Sequence, residues 1–358
     1  MPAKVVSPEE FKKVSVKPGT KENFLVRIGQ MSTSTDIHIP VVVVQGRKDG
    51  PKTFVTAGQH AEETGSIDAA KRFGGQLTPD EVSGTVVVCP LQNPGAWAFR
   101  TRLYPLDAPT VSDIGSLKKG EANGILTDRA FYALTECISD GANFGLDIHA
   151  THLDSMNYPR TMTMITGDEP EAVHKKRVEL SRKVGYEVIH LWNVGKGRGG
   201  LTSVLSNRGA PCIAIEAGEG WRALEPFPSI LIRGIKNFCK AVGNLKGEPE
   251  MPDLQVEVTK RFEITCNYGG FSNLFVKCGD YVKKGQVVGQ VRNMFDEVLE
   301  ELTSPANGII IRCSLLPTVA TGARLCNVSE TDIGDKWTNR KLPTLEKQIT
   351  FSGYSRAK

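Results

Sequence analysis

Between Ile39 and Ala217 the chain repeats one pattern: a short apolar run, a turn residue, then a stretch with helical spacing. The runs IPVVVVQG, KTFVTAG, GTVVVCPLQNP, NFGLDIHAT, TMTMITG, YEVIHLW and APCIAIEAGEG are apolar in succession rather than in alternation. A strand of this kind is apolar on both faces, so its sheet must be covered above and below. SIDAAKRFGGQL, DRAFYALTECISD, a segment over about 170–185, TSVLSNRG and PSILIRGIKNFCKAVGNL read as the helices that cover it. The alternation predicts an α/β sheet flanked by helices.

Near KGEPEMPD the texture changes. From about Glu257 only short β runs remain, punctuated by Gly, Asp, Asn and Pro, which reads as a small all-β domain of hairpins. The expected organisation is a catalytic domain over residues 1–250, with 1–25 as a leader segment, then an all-β domain over 255–335 and a polar surface tail over 336–358. A net charge of +4 on 358 residues gives no reason to expect nucleic acid or an anionic membrane as a partner. No apolar run is long enough to span a bilayer, and the N-terminal stretch lacks the apolar core of a secretory signal. The eight cysteines form no C-x-x-C pair and several sit inside apolar runs, so they read as buried thiols. A cytoplasmic location is expected.

Function is concentrated where the apolar runs end. Ligands of open α/β sheets bind in the crevice at the carboxyl ends of the strands. KTFVTAG is followed by QHAEE, which crowds His60, Glu62 and Glu63 into four positions. On a helical turn His60 and Glu63 share a side and Glu62 turns away. An imidazole and a carboxylate meeting there are two of the three protein ligands of a catalytic zinc. GLDIHATH supplies a third: Asp147 and His149 share a strand face, His149 as ligand and Asp147 as acceptor of a ligand's ring N–H. His152, one turn further on, is a weaker candidate.

Two more exits carry charge. Glu216 follows CIAI, where an acid is costly to bury without a partner; there it could act as general base. In NPGAWAFRTRL, Arg100 and Arg102 project together if the segment is extended, and an arginine beside a metal can stabilise an oxyanion. GKGRGG, residues 195–200, lacks the Lys-Ser/Thr of a phosphate loop and reads as a loop near the site, with Arg198 as a substrate contact.

Taken together, GQHAEE, LQNPGAWAFRTR, LDIHAT and IAIEAG resemble, in order and spacing, the succinylglutamate desuccinylase/aspartoacylase family of zinc amidohydrolases, relatives of the M14 carboxypeptidases. The resemblance covers roughly residues 35–330 and includes the β-rich C-terminal part, through GDYVKKGQVVGQV and SPANGIII. It implies a zinc-carboxypeptidase-like mixed sheet flanked by helices, with a smaller C-terminal all-β domain. It further implies Zn2+ on His60, Glu63 and His149, Glu216 as the catalytic glutamate and Arg102 as oxyanion partner. Asn93, Arg100 and Arg198 are the expected substrate contacts.

One departure stands out. Many members follow the arginine with D-L-N-R, whose Asn and Arg hold the substrate's α-carboxylate; here the region reads YPLDAPTVSDIGSLKKG. Arg100, Arg198 and Arg208 are the candidates to replace that pair. The expected activity is hydrolysis of a small N-acyl amino acid or N-acyl amine. A peptide carboxypeptidase and a non-catalytic binding protein of the same fold are the alternatives. A small-molecule partner is expected, and homo-oligomerisation is left open.

Overall fold

The computed structural model describes residues 2–107 and 113–348. Among these, a fourteen-stranded mixed sheet forms the centre, and a separate four-stranded antiparallel sheet lies in the C-terminal part. The path of the main sheet is Lys4–Val6, Thr20–Gln30, Asp36–Gln45, Ser83–Cys89, Lys48–Ala57, Phe144–His149, Cys212–Glu219, Ser155–Ile165, Gly308–Ser314, Arg324–Glu330 and Arg261–Thr265. Its middle is parallel: Lys48–Ala57 runs alongside both Ser83–Cys89 and Phe144–His149, and Phe144–His149 alongside Cys212–Glu219. The carboxyl ends of these four strands therefore open on the same edge.

The continuous apolar runs are buried on both faces, as their composition requires. Val86 and Val88 pack with Ala69 and Phe73 of the helix Thr64–Gln76. Val87, between them, packs with Phe54, Phe131 and Leu134 on the opposite face. The helix Phe227–Val242 shares the first face through Ile230, Leu231, Ile235 and Phe238. The helix Leu126–Tyr132, continued by a wider turn over Ala133–Ile138, and the helix Leu201–Asn207 cover the second.

Both chain ends depart from expectation. The segment read as a leader contributes the strand Lys4–Val6, parallel to Phe24–Val26, and a helix Pro8–Lys12 closed by a Ser7–Glu10 capping box. Phe11 of that helix is buried edge-on against Phe24, with ring centroids 5.2 Å apart. At the other end, the described part of the expected surface tail is docked. Trp337 is buried and its indole donates to Gly279 O at 2.8 Å, and Arg340 pairs with Glu187 at 2.9 Å. One aromatic and one cationic anchor spaced among charges are too sparse to register as apolar periodicity. The remainder of that tail lies outside the described residues.

The C-terminal β region is continuous with the main sheet. Arg312, Cys313 and Ser314 pair antiparallel with Asn157, Met156 and Ser155. The strand Ser155–Ile165 thus lies between the parallel middle of the sheet and the C-terminal strands.

His190, on the neighbouring strand Val188–Asn193, is fully buried and neither ring nitrogen has a hydrogen-bond partner. Burial, then the charges of Arg160 and Arg261, push it from 6.5 down to about 3. The unfolded chain therefore binds a proton that the fold refuses. The stability this neutral imidazole contributes is complete above pH 6.5 and is lost as pH falls towards about 3. His190→Phe is expected to flatten the acid side of the stability curve by up to about 1.4 kcal/mol per pH unit. Urea unfolding between pH 4 and 7 checks this, and an unchanged slope would refute it.

Candidate metal centre

The strand Lys48–Ala57 ends on Gly58, at φ +69°, where a Cβ would come within 3.1 Å of the Leu91 backbone. The chain turns there, and a single turn closed by Glu63 N donating to His60 O (3.2 Å) precedes the helix Thr64–Gln76. His60 and Glu63 converge across this turn rather than within the helix. Nδ1 of His60 lies 2.8 Å from Glu63 Oε1, and Nδ1 of His149 lies 2.9 Å from Glu63 Oε2. Ala150 N also donates to that oxygen, at 3.1 Å. One donor atom from each of His60, Glu63 and His149 falls within 4.8 Å of the others, and all three residues are buried.

The outward nitrogens meet carboxylates. Nε2 of His149 lies 3.1 Å from Asp147 Oδ2, and Gln92 fixes the other Asp147 oxygen at 2.7 Å. Nε2 of His60 lies 3.2 Å from Asp113 Oδ1 and 3.1 Å from Arg102 Nη2. These charges govern the protonation. Burial works against the imidazolium of His149, but Asp147 and Glu63 outweigh it and raise His149 well above its ordinary range. His60 is raised too, by Glu63 and Asp113 against its burial. Glu63 is held well below the usual carboxylate range because His149 and His60 outweigh its desolvation. His60, against burial, likewise lowers Asp113 to about 2.

Glu216 stands in register beside His149 on the next parallel strand. The partner that a buried acid requires is Arg160, with Asn157 donating to the same oxygen at 3.0 Å. Glu62 does leave the ligand centre, yet it stays buried and receives Arg102 Nη1 at 2.6 Å and Leu153 N at 3.3 Å. His152, half exposed, lies 3.6 Å from Glu62 rather than at the centre.

The paired projection of Arg100 and Arg102 does not occur. Asn93 caps and Pro94 opens a helix, Pro94–Phe99, and Arg100 ends it in the left-handed conformation at φ 53°. Arg100 is exposed and its guanidinium has no hydrogen bond or ion pair with a described residue, whereas Arg102 reaches His60. Asn93 is buried, its Oδ1 taken by Ala96 N at 3.0 Å. Arg198 is likewise exposed and unpaired among the described residues. Its glycine-rich loop is nevertheless packed: Gly200 N donates to Leu117 O at 2.8 Å, and a Cβ on Gly199 would overlap Ser116 O at 2.0 Å. Arg208 pairs with Glu136 and Thr135 O. Of the region lacking the Asn-Arg pair, residues 108–112 lie outside the described residues, while Asp113 caps the short helix Ile114–Ser116 and faces His60.

Two buried imidazoles and a carboxylate thus converge on a mixed α/β sheet as a group that could hold a metal ion, and comparison with known proteins identifies the family. The profile of the succinylglutamate desuccinylase/aspartoacylase catalytic domain matches residues 49–242, more than half of the chain. The chain belongs to this family. N-alpha-acetyl-L-2,4-diaminobutyric acid deacetylase of Halomonas elongata is 24% identical over 72% of this chain and 75% of its own length. The product-bound ectoine utilization protein EutE (DoeB) of Ruegeria pomeroyi superposes with a TM-score of 0.78 at 17% identity, over 89% of this chain and 98% of its own. A succinylglutamate desuccinylase/aspartoacylase of Rhodobacter sphaeroides gives the same TM-score at 22% identity, with the same coverage.

Proposed function

We propose that the protein is a zinc-dependent deacylase that hydrolyses the amide bond of a small N-acyl amino acid or N-acyl amine. The observation that carries this reading is the convergence of His60, Glu63 and His149 at strand exits beside Glu216. Two imidazoles and a carboxylate are a donor set of catalytic zinc, and each imidazole has a carboxylate behind it, as metal-bound histidines do. These residues fit the ion. When bound, zinc supplies Lewis acidity that activates water and polarises an acyl carbonyl.

The remaining work falls to side chains. Asp113 and Asp147 hold protons at Nε2 of His60 and His149, which leaves each Nδ1 with a lone pair for the metal. With that proton on His60, Arg102 cannot also donate to Nε2. Glu62 still holds Arg102, whose Nη2 is then available to an oxygen of the substrate. Glu216 removes a proton from the attacking water and returns it to the departing amine. Among the described residues no helix is long and apolar enough to cross a membrane. A cytoplasmic setting is supported by eight buried cysteines, none in a disulfide.

The Halomonas elongata relative acts, by its name, on an N-acetylated diamino acid. For this chain the zinc-loaded protein should release amine from N-acetyl or N-succinyl amino acids or diamines and leave N-blocked dipeptides with a free C-terminus uncut. Primary-amine detection across such a panel tests this. Preferential cleavage of the dipeptides would make the protein a carboxypeptidase, and no bound zinc with no turnover would make it a binding protein.

A further inference from the structure

The carboxylate of Glu216 is held by one oxygen only. Asn157 Nδ2 and Arg160 Nη2 both donate to Oε2, and Oε1 has no donor among the described residues. Arg160 is itself buried, and its other terminal nitrogen, Nη1, donates to Ile311 O at 2.9 Å. A planar guanidinium forked between two acceptors cannot turn without losing one of them. The strand that carries Asn157 and Arg160 is irregular at this point: between Asn157 and Arg160 its register against Cys212–Glu219 shifts. That irregularity lets two residues three apart reach the same carboxylate. Ile311 belongs to the strand Gly308–Ser314, so the clamp is anchored in the C-terminal β region.

We infer that Arg160 is a positioning residue for Glu216, fixing Oε2 against the C-terminal strand so that Oε1 is the oxygen that exchanges the proton. This rests on the reading of Glu216 as general base. It gives the C-terminal β region a part in catalysis that does not require it to touch substrate. Nearby charge agrees with the assignment. His190 and Arg261 lie close enough to Arg160 for its charge to bear on both, and Glu216 is the only acid in hydrogen-bond contact with Arg160 among the described residues.

The test uses the full-length, zinc-loaded enzyme with the best substrate of the panel. Arg160→Met should lower kcat by about 10²-fold, the cost of a reacting group displaced by about 1 Å, with KM changed less than about threefold and zinc content unchanged. Arg160→Lys restores the charge without the fork and should recover about tenfold of that loss. In a Glu216→Gln background, Arg160→Met should lower kcat no further, because the group it positions is gone. If Arg160→Met does not fold, Arg160→Lys carries the test alone, with kcat about tenfold below the parent at unchanged KM. A raised KM with unchanged kcat would make Arg160 a substrate contact and overturn the proposal. So would fully additive losses in the double variant, or normal kinetics in either single variant. Active Glu216→Gln enzyme would instead refute the general base itself, so the two failures are distinguishable.

Discussion

Glu216→Gln is expected to bind zinc as the parent does and to lose about 10²–10⁴ of kcat, the usual range for a general acid–base group. The substitution conserves shape, so the amide oxygen can still accept from Asn157 and Arg160. It removes the negative charge, however, and leaves the buried Arg160 guanidinium uncompensated. Breaking a buried ion pair from one side typically costs about 3–5 kcal/mol, so a lower thermal midpoint should accompany the loss of turnover. The two effects separate experimentally. Turnover measured well below the midpoint, with zinc content determined on the same sample, reports the chemistry alone. Glu216→Asp keeps the charge and should recover stability before it recovers rate, because the carboxylate is withdrawn by one methylene. Zinc-loaded Glu216→Gln enzyme with near-parent turnover would remove the glutamate from the mechanism.

What the sequence discloses about this site follows from how local each signal is. The runs ending at Ala57, His149 and Glu219 carry apolar residues on both strand faces, which marks each as a strand of a covered sheet, whose ligands gather at strand exits. His60, Glu63 and His149 are legible because chemistry-bearing side chains at such exits have few structural roles. Their exact approach is not legible: helical spacing brings His60 and Glu63 together on paper, whereas a turn ahead of the helix does so in the structure. The Arg100–Arg102 error has a local cause. Asn-Pro followed by Gly-Ala-Trp-Ala is a helix start, so the segment is not extended and the condition for the two arginines to project together fails. Arg160 left a faint trace as a lone cation in YPRTMTMIT, opposite in sign to the lone acid of CIAIEAG. Two isolated opposite charges in buried strands must find each other, but sequence spacing does not say which strands adjoin. Asp113 left none, since an acid ahead of a short turn is ordinary. The joining of the C-terminal strands to the main sheet was hidden likewise, because Arg312 and Asn157 pair across more than half of a domain's sequence.

Removing the metal should have the largest effect. Dialysis against a chelator is expected to abolish turnover, and added zinc to restore it. Glu63→Ala should stay inactive at a zinc concentration that fully restores the parent, since its carboxylate faces both imidazoles. A readout independent of activity distinguishes lost binding from damaged chemistry. At a hundredfold excess over Kd, zinc should stabilise the parent by about 2.7 kcal/mol and Glu63→Ala far less. The effect depends on pH with a determined sign. Asp147 and Glu63 raise His149 well above its ordinary range despite its burial, so in the stripped protein its imidazole carries a proton that zinc must displace. Zinc affinity should therefore fall as pH falls, by about tenfold per pH unit for each proton displaced. Calorimetric titration with zinc across pH 6–8 measures that slope. Full turnover in the stripped enzyme, or zinc binding undiminished by Glu63→Ala, would show that these three residues are not the metal's ligands.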